Sequence, residues 1–253
     1  MINWREKIRA VFVHFLVTLG MAAAAAALIF LVWYPDPFQA MLGGTRFFLL
    51  ISICDLVLGP LSSLIVYNSK KTRRALVFDY TVIGLVQLAA FVYGVLAIAH
   101  ARPVYIAFVK DRFEAVIAED IAAKDLQQAK DPYRTIPKWG PVLVGTQRPT
   151  TREDRNDLVM AAMEGKDVQN FPRYFVPYDP AYGVEVAKAA SPMEQLYKHR
   201  PEARQMLADE QLGVPEAQIK WLPIRGTRSF WTVLVNATTG MPLAYIPVDP
   251  FES

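Results

Sequence analysis

Residues 11–33 read VFVHFLVTLGMAAAAAALIFLVW, twenty-three positions without a formal charge, closing on a tryptophan. As a helix this stretch rises about 35 Å, enough to cross a hydrocarbon core of about 30 Å. Two further apolar stretches follow at residues 47–67 and 76–99. In lipid every backbone amide and carbonyl needs an internal partner, so runs of this length are helical spans rather than strands. A cleaved signal peptide fits poorly. The alanines at 22–27 offer a small-residue cleavage site, but the apolar run continues through Leu28, Phe30 and Trp33 beyond any such cut. The sequence predicts an uncleaved anchor of three transmembrane helices within residues 1–100.

Positive charge sets its orientation. Arg5, Lys7 and Arg9 precede the first stretch, and Lys70, Lys71, Arg73 and Arg74 lie between the second and third. The loop at 34–46 holds only Arg46. This bias places the N-terminus and the 70–74 loop in the cytoplasm, and everything after His100 in the periplasm of an inner-membrane protein. Trp33, Tyr34 and Phe38 sit where an interfacial aromatic belt belongs. Residues 101–253 carry 19 Lys or Arg against 20 Asp or Glu, so the overall charge of +3 arises beside the membrane and does not point to nucleic acid. The single cysteine, Cys54, falls in the second stretch. The external part therefore has no disulfide, and packing alone must hold it.

Polar residues inside the spans are the candidate sites. Asp55 and Gln87 lie near the middles of the second and third stretches, at depths differing by about 6 Å in an antiparallel pair. They can form an interhelical clasp worth ~0.5–2 kcal/mol, or serve as a proton or partner site. Gly59-Pro60 removes an amide donor and predicts a kink. His14 and Asp79 lie toward the cytoplasmic ends, within reach of water, and are assigned no role. Gly20, Ala24 and Ala27 offer a smooth helix-packing face, expected to meet the other two spans in preference to a helix of another protein.

Residues 101–253 read as an α+β domain with strands at both sequence ends and helices between. Residues 103–109 and 113–118 form a hairpin around Lys110-Asp111-Arg112. Helical spacing marks 119–130, a short strand 142–145, and Thr151 opens a helix to Glu164 with Asp154 three positions on. Residues 167–179, with Pro172 and Pro177, read as loop. Helices at 180–190 and 193–211, broken near Pro192 and Pro201, lead to strands at 219–224, 229–235 and 243–248. Residues 236–240 (NATTG) form the last turn. No catalytic constellation stands out. The three histidines, His14, His100 and His199, have no metal-ligand spacing, and no nucleophile elbow, phosphate-binding loop or dinucleotide fingerprint occurs. Neither metal nor cofactor is expected. Glu119-Asp120 and Asp209-Glu210 read as solvated faces. Trp139, Trp221 and Trp231 read as core, although Trp139 between Pro137 and Pro141 can be exposed.

Several local patterns occur together. Trp33-Tyr34-Pro35 with Pro37-Phe38 follows the first span, DLVLGPL (55–61) lies in the second and QLAAFVYG (87–94) in the third. Arg102, Pro103 and Tyr105 then lead into Phe108 and Asp111-Arg112-Phe113. In this respect residues 8–121 resemble the TfpX/TfpZ family of type IV pilin accessory proteins of Gram-negative bacteria. Leu222-Pro223 and the 236–240 turn are similar to the family as well, while 125–215 carry no matching motif. The resemblance implies a non-enzymatic inner-membrane chaperone or accessory protein. It would support a pilin's stability, pilus assembly, or the balance of extension and retraction. The partners implied are the major pilin, through its membrane helix or periplasmic head, the inner-membrane pilus assembly platform, and lipid. Two alternatives are a proton-coupled membrane transport component using Asp55 and a membrane-anchored periplasmic ligand sensor.

Overall fold

The computed structural model describes residues 4–67, 71–226 and 229–252; Lys70, in the expected cytoplasmic loop, lies outside them. The chain divides into two compact units, Met1–Gln39 with Gly43–Arg102, and Ala40–Leu42 with Pro103–Ser253.

The first unit is helical. Helix α1 (Trp4–Leu28) continues into a π-helical turn, Ile29–Trp33, closed where Tyr34 N–H donates to Ile29 O at 2.7 Å. The short α2 (Phe38–Met41) precedes α3 (Gly44–Val66) and α4 (Arg73–His100). Each start has a local cause. Gly43 takes φ +74° ahead of α3, and the Thr72 side chain caps α4 by accepting from Ala75 N–H at 3.3 Å. Two stretches are long and apolar enough to cross a membrane, Ile8–Trp33 and Arg73–His100; in α3 the described apolar run is Asp55–Val66. These helices expose their apolar side chains, with Leu31 78% and Val86 65% exposed, the reverse of a buried core helix in a water-soluble protein. α3 packs against both α1 and α4, and Phe30 meets Phe48 edge-to-face at 5.2 Å. Pro60 lies inside α3, which runs on unbroken to Val66.

One expectation is corrected here. Gly20, Ala24 and Ala27 are exposed, and the face of α1 that packs inward carries Ala22, Ala25 and Ile29. The alanine run offers small residues on every side, so the contact goes to the side that also carries the polar His14.

The second unit is α+β, built on a mixed eight-stranded sheet of order β4-β3-β1-β2-β6-β7-β8, with β5 paired to β6. The strands are β1 (Pro103–Val109), β2 (Arg112–Ile117), β3 (Val142–Thr146), β4 (Phe175–Pro177), β5 (Ser191–Pro192), β6 (Ile219–Arg225), β7 (Phe230–Asn236) and β8 (Pro242–Ile246). β1 and β2 form the expected hairpin, with Lys110 at φ +59° in its turn. β2 pairs in parallel with β6, Phe113 opposite Ile224, which joins the two sequence ends in one sheet. β1, between β2 and β3, is buried along all seven residues because both of its faces are covered.

Helices α5 (Ala123–Gln127), α6 (Arg152–Met163), α7 (Pro180–Ala189), α8 (Met193–His199) and α9 (Ala203–Asp209) lie between the strands. The helix expected over 119–130 shrinks to α5 plus a 3₁₀ turn at Ala118–Asp120. Residues 167–179, expected as loop, supply two 3₁₀ turns and the edge strand β4. One core gathers Tyr105, Tyr133, Phe171 and Phe175, and another packs Met193, Leu196 and Leu207 on Ile219, Leu234 and Ile246. Trp139 is 74% exposed and lies outside both cores, whereas Trp221 is partly buried and donates from Nε1 to Pro192 O at 3.1 Å.

Candidate functional site

The polar residues of the helical unit converge on a layer between α1, α3 and α4. His14 on α1 is its hub. Its Nδ1 pairs with the buried Ser63 hydroxyl of α3, and its Nε2 lies 2.8 Å from Gln87 Oε1 on α4. One imidazole thus ties three helices together, with the proton on Nε2 and Nδ1 accepting from the serine as the consistent tautomer. Gly59 makes the approach feasible: a β-carbon there would overlap the Gln87 amide and lie 3.2 Å from His14 Nε2. Gln87 Nε2, the other half of that amide, is buried and without a partner among the described residues.

Sequence reasoning expected Gln87 to clasp Asp55 and gave His14 no role, and the structure redistributes those roles. Gln87 bonds to His14, while Asp55 shares a cavity of about 240 Å³ with both of them and has no hydrogen-bond or ionic partner among the described residues. The physical reason is rotation about the helix axis. Depth alone puts Asp55 and Gln87 within reach, but the α3 face that meets Gln87 is the one carrying Gly59. Gly59, expected as half of a kink, serves as the gap that admits the amide. Asp79 forms an exposed ion pair with Lys71 at 2.6 Å.

The residues around the hairpin have structural work. Arg102 stacks 5.7 Å over the Trp33 ring and donates from Nη1 to Ala99 O at 2.8 Å, finishing α4. Pro103 starts β1. Tyr105 sits in an aromatic cluster, 4.9 Å from the Phe175 ring, and donates to Thr135 O at 3.2 Å; burial, then the neighbouring Tyr133, pushes its phenol up to about 12. Asp111 occupies the turn. Arg112 Nε donates to Glu114 Oε1 at 2.8 Å, and burial still holds the Glu114 carboxyl above the usual carboxylate range against that donor. Phe113 is fully buried against Phe108, their rings 5.3 Å apart. These six positions build the junction and the hairpin.

The second unit also carries a broad hollow of about 1230 Å³ between β1, β3, α6 and α7. Lys110, Arg148, Arg155 and Lys166 line it alongside Asp167 and Glu185. Among the described residues no group of three His, Cys, Asp or Glu is placed to hold a metal ion.

Comparison with known proteins gives one consistent result. A family model described as "Fimbrial assembly protein FimB" matches residues 2–43. The fimbrial assembly protein of serogroup I from Dichelobacter nodosus is 33% identical over 246 residues, covering 95% of this chain and 94% of that protein. The serogroup E1 protein of the same organism is 32% identical over the same coverage. That of serogroups C1 and C2 is 41% identical over 117 residues, 46% of this chain and 89% of its own length. No solved structure matches.

Proposed function

Because the chain belongs to the fimbrial assembly protein FimB family, with a role in fimbria and pilus biogenesis, we propose that it is a non-enzymatic inner-membrane accessory protein of the TfpX/TfpZ type serving a type IV pilin. The observation that carries this is the similarity running through 95% of the chain to a fimbrial assembly protein. It embraces the apolar helices and the sheet domain together, so the function belongs to the combination.

Three anchoring helices fit this role, α3 included, with the N-terminus and the Lys71–Arg74 side in the cytoplasm and the second unit in the periplasm. The pilin, in this reading, waits in the membrane as a single helix bearing an external head. An accessory protein with both a membrane part and an external part then meets it at a raised effective concentration, because both are confined to one bilayer. Support comes from the apolar, lipid-suited exterior of α1 and α4 and from a polar layer that serves packing.

The test is a deletion strain complemented in trans. Surface pili should fall sharply while pilin transcript stays constant, and the wild-type gene should restore them. Normal piliation in the deletion strain would end the proposal. Topology is read separately with alkaline phosphatase fused after His100, which should be active. A fusion active only as a cytoplasmic reporter would overturn the orientation.

A further inference from the structure

We propose that Trp139 is a lipid anchor: its indole seats in the headgroup region of the bilayer that α4 crosses, and ties the second unit to the membrane surface by the end of the sheet where β1 begins. The lipid surface as partner rests on the reading of α4 as a membrane span; the place of Trp139 rests on the register of the sheet.

β1 is the strand by which the chain enters the second unit. Only Ala101 and Arg102 separate its first residue, Pro103, from His100 at the end of α4. Covalent geometry therefore keeps Pro103 within about 11 Å of that helix. Arg102 itself lies 5.7 Å over the ring of Trp33, one of the aromatic residues expected at the membrane–water boundary. The chain also passes between the units on either side of residues 40–42, so Arg102 is not the only tether.

β3 runs parallel to β1, with Val142 opposite Tyr105, so both strands start from the same end of the sheet. From Tyr105 back to Pro103 is about 7 Å, and three residues back from Val142 cover up to about 11 Å, so Trp139 reaches the level at which β1 begins. A second contact holds this stretch independently: the Tyr105 hydroxyl donates to Thr135 O at 3.2 Å.

The loop is built to present a side chain. Before it, Tyr133 is buried and Ile136 packs on the core; after it, Val142 joins the sheet. Pro137-Lys138-Trp139-Gly140-Pro141 fills the interval, stiffened by a proline at each end. Trp139 stands 74% exposed at the centre, close in sequence to the 41% exposed Val142. An indole is apolar over its face and carries one N–H donor, the combination that favours the boundary between acyl chains and headgroups. Lys130, Arg134 and Lys138, against Asp131, give the same stretch a positive balance suited to phosphate. Glu119 and Asp120 follow Ile117, the partner of Pro103, on the other side of β1. Charge at this end of the sheet is therefore mixed. The indole, not the charge, selects the ligand, which is a phospholipid boundary and need not be strongly anionic.

The experiment is photocrosslinking of the full chain in native membranes, with a benzophenone side chain at position 139 and phospholipid adducts read by mass spectrometry. Tyr93 of α4, 77% exposed, is the lipid-facing control. Lys110, in the turn at the opposite end of β1, and Met163, 80% exposed on α6, are the references. Position 139 should give a lipid adduct at least about tenfold above both references. With the benzophenone moved to Val142, Trp139→Asp should cut the lipid adduct about tenfold at unchanged protein level, and Trp139→Phe should keep most of it. Lipid adducts no greater than the references, a protein adduct at 139 in place of lipid, or a Val142 adduct indifferent to Trp139→Asp would each overturn the anchor. Failure of the membrane reading shows differently: Tyr93 would then give no lipid adduct either, whereas a Tyr93 adduct without one at 139 sinks the anchor alone.

Discussion

Gly59→Ala is the sharpest test of the three-helix polar layer. In a helix the change from glycine to alanine is ordinarily favourable by about 1 kcal/mol. Here the new methyl would overlap the Gln87 amide and stand 3.4 Å from Gln87 Cδ and 3.2 Å from His14 Nε2. Gln87 can swing away only by surrendering its 2.8 Å bond to His14. Interhelical hydrogen bonds in membranes are worth about 0.6 to 2 kcal/mol, and overpacking a filled site costs about 1–3 kcal/mol. Set against the propensity gain, the expected net loss is about 1–2 kcal/mol. The decisive measurement is a double-mutant cycle with Gln87→Ala, read by unfolding the full chain in mixed detergent–SDS micelles. With Gln87 truncated, the methyl meets only His14, so the same substitution should cost nothing or stabilise. The coupling should be about 1–3 kcal/mol. Gly84→Ala serves as reference and should be neutral or better, since its β-carbon meets nothing. A Gly59→Ala penalty that persists unchanged in the Gln87→Ala background would refute the packing argument.

Three further outcomes concern the second unit. Thr151→Ala removes the cap that accepts from Asp154 N–H at 3.0 Å; it should raise hydrogen exchange through α6 by about 1 kcal/mol of local stability and leave global unfolding unmoved, because α6 buries no residue. Gly240→Ala should cost about 2–4 kcal/mol in chemical unfolding, since Gly240 holds φ +65° and its β-carbon would strike the Gly183 carbonyl and reach 3.0 Å from Ala187 N. Tyr105, with its phenol raised in the folded state from 10.0 to about 12, contributes stability that is complete below pH 10 and lost as pH rises toward 12; Tyr105→Phe should flatten the alkaline limb of a stability–pH curve, and an unchanged limb would refute the assignment.

Much of the second unit was legible because local chemistry and final structure agree. The β-branched run at β1, the capping threonine of α6 and the NATTG turn each carry their own instruction; in that turn Asn236 Oδ1 accepts from both Thr238 and Thr239 N–H at 2.9 Å. Prolines misled where their position in the sheet was not visible. Pro177 argued for loop across 167–179, yet β4 is an edge strand, where a missing amide is tolerated. Pro223 sits inside β6, at the point where that strand's edge passes from β5, at Lys220 and Trp221, to β2, at Ile224. The parallel pairings of β1 with β3 and of β2 with β6 leave no turn signature, so no reading of short windows orders the sheet.

In the helical unit the residue types were legible and their pairing was not. Depth arithmetic brings Asp55 and Gln87 to similar levels, but a span that is apolar all round gives no moment to fix its rotation. A cue was present at His14, Thr18, Ala22 and Ala25, polar or small residues recurring three and four apart and all partly or fully buried. Reading that stripe as the contact face of α1 turns Gly20, Ala24 and Ala27 outward and brings His14 inward. Glycine itself stays ambiguous at this level. Gly59 and Gly84 are the same residue in comparable apolar surroundings, yet one gap is filled by the chain's own amide and the other stands open beside an unpaired carboxyl. A glycine the chain needs and a glycine it leaves free differ only in what lies opposite.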